Sequence, residues 1–202
     1  MGVGKIGTAA ALGLALSVAA AGLANAQAQH DYKAAPAGSY TLDPKHTGLI
    51  ARVSHGGFSI SIFRFQTAAG QLGWDPAAPG KDTLSVTVDP KSIATGPVDG
   101  FSAELSGPRF LKADQFGTAT FTATGFHPTS PTHGTVEGDL VLMGVSKHLS
   151  FDVDLVGAGN GMRGKPVIGV EARTTLDPKA YGLPAFFGAG IDLVIDTEFD
   201  AN

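Results

Sequence analysis

DLVLMGVSKHLSFDVDL, residues Asp139 to Leu155, consists of two runs of alternating apolar and polar residues joined by a short link containing Gly144. Leu140 and Leu142 share one parity; beyond the link, Leu149, Phe151, Val153 and Leu155 share another, with Ser150, Asp152 and Asp154 between them. Side chains of a strand alternate between its two faces, so the stretch reads as an antiparallel hairpin with one buried and one wet face. The same alternation recurs along most of the chain, as at Leu84, Val86 and Val88, or at Ile191, Leu193 and Ile195 against Asp192 and Asp196. Hairpins of this kind can curl around a ligand, which points to an enclosed cavity rather than a catalytic motif.

Working outward, strands are predicted over residues 49–55, 63–73, 84–88, 118–126, 134–142, 147–156, 166–176 and 191–199, with 40–42 as a short edge segment. Asp43-Pro44, Asp75-Pro76, Asp89-Pro90 and Asp177-Pro178 punctuate them, because proline cannot donate to a sheet ladder. Residues 98–106 form the main helical candidate, with Phe101 and Leu105 four apart, and Gly107-Pro108 ends it. The chain is therefore all-β, with about eight strands and one short helical insertion. Strand number alone leaves a sandwich and a closed barrel open. Eight strands is the number at which a barrel interior can hold one small ligand.

Residues 1–26 read as a signal peptide, with a retained membrane anchor as the alternative because the apolar run approaches spanning length. Lys5 gives a basic start, residues 6–23 are apolar and uncharged, and Ala24-Asn25-Ala26 offers the small residues that signal peptidase accepts, with cleavage after Ala26. Export to the periplasm or beyond is the corresponding expectation. Residues 27–38 read as a flexible leader outside the core, and residues 39–202 as one domain of ordinary size. The chain has no cysteine, which excludes thiol catalysis, thiolate metal sites and Fe–S clusters. Net charge is −4 with basic residues scattered, so no basic face recommends nucleic acid.

Several segments together resemble the YceI-like family of exported bacterial proteins. They are Tyr40 to Thr47, then Val53 to Ser59 with Arg64-Phe65 and Gly70, then Phe110, Phe116, Thr118, Thr120 and Phe121. Gly138-Asp139-Leu140, Gly144 to Lys147 and Asp152-Val153 resemble the family's hairpin, and Tyr181-Gly182-Leu183 its late turn. The resemblance implies a lipocalin-like antiparallel β-barrel whose apolar interior binds a polyisoprenoid, an isoprenoid quinone or a related amphiphile. It brings no enzymatic mechanism and no cofactor, and it allows a homodimer. With strand parity, it makes Phe63, Phe65, Phe121, Leu140, Leu142 and Phe151 candidate walls, and places Phe58, Leu149 and Leu193 in the same interior. A packed core would demand the same residue types, so periodicity alone leaves both open.

Polar candidates are few. His55 continues the parity of Leu49, Ala51 and Val53 and reads either as a strand-end residue or as a head-group partner at a barrel mouth; Arg64 is a second head-group candidate. His46 reads as a turn residue, and His127, His133 and His148 form no compact metal-ligand spacing. There is no G-x-S-x-G elbow for a serine hydrolase. Asp152, Asp154, Asp192 and Asp196 alternate with core residues and are expected to face solvent. The competing readings are a hydrolase or isomerase using cavity histidine and carboxylate groups, and a ligand-free interaction module with a packed core.

Overall fold

A computed structural model describes Met1 and residues 28–202, apart from 98, 163, 185, 186 and 189. The signal peptide expected over residues 1–26 lies outside the described residues, Met1 aside. The strands are β1 (Gly38–Leu42), β2 (Gly48–His55), β3 (Ser59–Phe65), β4 (Ala68–Trp74), β5 (Thr83–Val88) and β6 (Ile93–Ala94). A short helix α1 (Phe101–Ser106) precedes β7 (Ala119–Pro128), β8 (His133–Leu142), β9 (Val145–Asn160), β10 (Pro166–Leu176) and β11 (Ile191–Ala201).

Neighbouring strands run in the order β1-β4-β5-β7-β8-β9-β10-β11, and β1 pairs back onto β11, so eight antiparallel strands close into a barrel. Closure rests on the segment expected to be an edge. Leu42 of β1 opposes Phe199 of β11, while Tyr40 opposes Leu72 of β4. Its second partner comes from the far end of the chain, which local sequence cannot disclose. The stretch expected as one strand over 63–73 is two, β3 and β4, separated at Gln66-Thr67.

Three Asp-Pro-Lys turns shape this wall. At Asp43, Asp89 and Asp177 the carboxylate accepts the backbone N–H of the lysine two residues on, and proline opens a single 3-10 turn. Each side chain thus replaces a ladder bond that proline cannot make. The first turn breaks one long strand into β1 and β2, both of which lie along β11, at Phe199–Ala201 and at Ile191–Asp196 respectively.

The decisive hairpin forms as its pattern requires. β8 and β9 meet at Met143 (φ 50°) and Gly144 (φ 75°), a two-residue turn whose twist matches the strands. Met143 is buried, and a Cβ on Gly144 would meet the Phe116 ring at 2.8 Å. Gly138 has a second role. Any side chain there would collide with the Phe121 ring and with Thr122 O, so the glycine makes room for Phe121 beside a bulge in β7.

Two apolar clusters occupy the ends. One gathers Leu105, Phe110, Met143, Leu183, Phe187 and Ile191 under α1 and the β10–β11 connection. The other gathers Ala35, Tyr40, Leu42, Leu72, Ile168 and Phe199. Residues 28–37, expected as a flexible leader, belong to this second end. Gln29 and Ala158 exchange backbone hydrogen bonds of 2.8 and 2.9 Å, Tyr32 N–H donates to Pro131 O at 3.0 Å, and Ala35 is wholly buried. Tyr40 Oη donates to Pro36 O at 2.6 Å, and burial pushes its phenol above the ordinary range.

Candidate functional site

The barrel encloses an elongated cavity with about 310 Å³ of room for the centres of water-sized groups. A packed core would leave only isolated voids of roughly water size, so this interior is hollow. Its middle is walled by inward-facing residues of successive strands, including Leu49, Val86, Phe121, Leu140, Phe151 and Leu193. Phe121 and Phe151 meet edge to face with centroids 5.1 Å apart.

The wall's inner hydroxyls are satisfied. Thr47 Oγ1 donates to Asp43 O at 2.7 Å, which leaves Thr197 Oγ1 as the donor in their mutual 2.8 Å bond. Apolar surface with its few polar groups already paired suits a hydrocarbon and offers little to a polar substrate.

The cavity's two ends differ. At the α1 end, the described lining residues Val53, Phe63, Leu105, Phe110, Leu183 and Phe187 are all buried. At the other end the lining includes exposed residues of the β7–β8 connection, among them His127, Ser130 and His133. The mouth is there. Residues 28–37 cross it, bonded to β9 and to the β7–β8 connection, with the Tyr32 ring edge-on to Trp74 at 6.1 Å.

Two polar atoms at the mouth break the apolar rule. Trp74 Nε1 and Asp82 Oδ2 are buried and have no hydrogen-bond partner among the described residues. Each such orphan costs about 1–3 kcal/mol. Burial pushes the Asp82 carboxyl up to about 6; the Asp75 backbone N–H, 2.6 Å from Oδ1, opposes that rise, and the Asp75 charge adds to it.

All six wall candidates, Phe63, Phe65, Phe121, Leu140, Leu142 and Phe151, line the cavity. The polar candidates do not. His55 has the inward parity but stands beyond the rim, where the β2–β3 hairpin projects into solvent and residues 54–60 are all exposed. Arg64 points outward and donates to Thr47 O at 3.2 Å. Phe58, expected inside, is 94 % exposed at the hairpin tip. Parity alternates faithfully along a strand but does not say where the strand leaves the barrel.

The polar residues at the mouth, Trp74, Asp82 and Tyr32, were not singled out from sequence. Trp74 reads there only as the end of a strand before Asp75-Pro76. The one signal on offer was that the chain's single tryptophan adjoins such a turn.

His46 sits on the outer surface, with Nδ1 2.7 Å from Asp43 Oδ2 and 3.7 Å from Glu198 Oε2. The Asp43 hydrogen bond, then the Glu198 charge, raise its pKa above the ordinary histidine value. These three side chains could offer a cation ligand atoms within 4.8 Å of one another, yet the imidazole–carboxylate pair already meets its own hydrogen-bonding needs as part of the first Asp-Pro-Lys turn.

A closed eight-stranded antiparallel barrel around an apolar cavity defines the class: a small, hollow β-barrel. Residues 40–200 match the YceI-like domain, and the chain belongs to that family. A UPF0312 protein of Vibrio vulnificus is 32% identical over 167 residues, covering 82% of this chain and 86% of its own. One from Shewanella baltica is 29% identical over 170 residues, covering 81% and 88%.

Solved structures share the fold. The Campylobacter jejuni YceI protein aligns with a TM-score of 0.66 at 23% identity, over 74% of this chain and 90% of that one. A polyisoprenoid binding domain from Saccharophagus degradans, implicated in plant cell wall breakdown, aligns with a TM-score of 0.60 at 15% identity, over 81% and 98%.

Proposed function

We propose that this protein is a non-enzymatic carrier or store for one long-chain isoprenoid lipid, held with its tail along the barrel axis. The observation that carries the reading is the hollow, apolar interior, which among the described residues is lined by exposed groups at the β7–β8 connection. The polyisoprenoid-binding domain with the same fold supports the ligand class. The composition of residues 1–26 supports export, with the periplasm or the exterior as the place of action.

Volume bounds the cargo. The cavity gives about 310 Å³ of room for the centres of water-sized groups, each with a share of about 30 Å³ in a liquid, so it takes at least about ten of them, or about two five-carbon units. Burying one unit contributes roughly 4 kcal/mol gross at about 0.8 kcal/mol per methylene. Five units would therefore already reach the practical affinity ceiling of about 18–21 kcal/mol before chain ordering and association costs are subtracted. Catalysis on a small amphiphile fits less well. The two histidines at the mouth, His127 and His133, turn to Glu137 at 3.6 Å and Asp154 at 2.8 Å, and neither carboxylate lines the cavity.

The test is a titration of lipid-stripped protein with prenyl alcohols of increasing length. Affinity should climb with tail length until the cavity is full and then level off. Equal binding of short and long tails defeats the proposal.

A further inference from the structure

Trp74 and Asp82 face one another one step beyond the last β4–β5 pair, Gly73 with Thr83. Both line the cavity at its mouth, beneath Tyr32. Their two unpaired atoms are an indole N–H and a carboxyl oxygen, whereas the other carboxyl oxygen already accepts from Asp75 N–H. By register the two residues project from the same face of neighbouring strands, so a donor and a free carboxyl oxygen stand at the mouth of a largely apolar wall, half of a hydrogen-bonding site whose other half belongs to a ligand.

We infer that Trp74 and Asp82 form a head-group subsite that selects a neutral hydroxyl, as borne by a prenyl alcohol or a prenylated hydroquinone, over a phosphate, an ether or a quinone carbonyl. This deepens the lipid-carrier reading and rests on it. The hydroxyl oxygen accepts from Trp74 Nε1–H while its own proton is donated to Asp82 Oδ2, so one group satisfies both orphans. An ether or a carbonyl brings no proton for the carboxylate. A phosphate sets negative charge against it. Tail-first entry leaves the head at the mouth, where the pair stands.

Protonation of Asp82 switches the selectivity. The titratable or charged groups around it are Asp75 and Lys81 on its own connection, Tyr32 on the crossing segment, and His127 and His133 from β7 and β8. Both histidines face carboxylates outside the cavity. With its pKa at about 6, Asp82 is an acceptor at pH 7.5. At pH 5 it is a donor, and an ether or a carbonyl then serves as well as a hydroxyl.

Trp74 is the only tryptophan, so its emission reports directly on the subsite. Lipid-stripped protein is titrated with geranylgeraniol, its methyl ether and its monophosphate, and separately with a prenylated hydroquinone and the matching quinone. At pH 7.5 the alcohol should bind about tenfold tighter than the ether, with the phosphate weaker still, and the difference should vanish at pH 5. Preference for the alcohol or for the hydroquinone separates the two sources of the hydroxyl.

Asp82→Asn keeps the acceptor for Asp75 N–H but turns the free oxygen into a donor. It should abolish the alcohol-over-ether preference while leaving the dependence on tail length intact. Trp74→Phe, followed by displacement of a fluorescent lipid, should weaken the alcohol about fivefold and the hydrocarbon-like ether little. Equal affinity of alcohol and ether at pH 7.5, with the length dependence retained, overturns the head-group assignment and leaves the carrier reading standing. If no tail binds at any length, both fall.

Discussion

The barrel's two ends are built from different residues and do different things. At the α1 end, Leu105, Phe110, Leu183, Phe187 and Met143 pack into one buried cluster. At the mouth, exposed residues of the β7–β8 connection share the lining with Trp74 and Asp82, whose buried polar atoms lack partners among the described residues. The first end also buries one unpaired polar atom, Tyr181 Oη, but Tyr181 does not line the cavity, whereas Trp74 and Asp82 at the second end do. Structures accept such costs mainly where a ligand relieves them. The contrast gives the cavity a direction, with hydrocarbon toward α1 and the polar group toward the mouth.

The largest effect expected from breaking this contrast is on binding. Leu142 lines the cavity near the closed end, and Leu142→Trp should fill space that the tail needs. A fall in affinity of at least about a hundredfold for a four-unit prenyl alcohol is expected, equivalent to losing roughly three buried methylenes. The circular dichroism spectrum should stay that of the native protein. A variant that folds normally and binds at full strength removes Leu142 from the wall.

Next in size is stability at the closed end. Leu105 is 4 % exposed, and Leu105→Ala should cost about 2–5 kcal/mol in urea denaturation. A value under about 1 kcal/mol would mean that α1 is an ornament rather than a plug.

The pH dependence of stability tests the mouth. The folded pKa of Asp82 is raised from 3.8 to about 6, so its contribution to stability is fully present below 3.8 and is lost as pH rises through about 6. Relative to Asp82→Asn, the native protein should therefore melt at progressively lower temperature between about pH 4 and 7. His46, raised above the ordinary histidine value of 6.5, acts in a higher window, and the comparison with the variant cancels it. Parallel melting curves for the two proteins across that range would contradict a desolvated Asp82.

The smallest effect belongs to the crossing segment. Tyr32→Ala removes the edge-to-face contact with Trp74 and should cost about 0.5–1.5 kcal/mol, while shifting Trp74 emission measurably. No spectral change would mean that Tyr32 does not cover the indole.

The strand walls were legible because period-two alternation is a local property, and Leu140, Leu142 and Phe151 carry it plainly. Closure was not, because Tyr40 and Leu42 take their second partner from residues 199–201. His55 shows the limit of parity: its phase is inward, yet its strand has already passed the rim. The segment from Ala28 to Ala37 has the composition of a leader, and only tertiary bonds to Ala158 and Pro131 make it part of the mouth. Trp74 and Asp82 are eight positions apart and come opposite one another only because β4 and β5 pair. Polar atoms left unpaired are invisible in a sequence, since partners are a property of three dimensions.

Native mass spectrometry of the protein purified from its own host, without contact with organic solvent, tests the central claim most directly. The account predicts a mass excess of one isoprenoid amphiphile per chain, removed by solvent extraction and restored by adding the extract back. A bare polypeptide mass in gently prepared samples, unchanged by the extract, would contradict it.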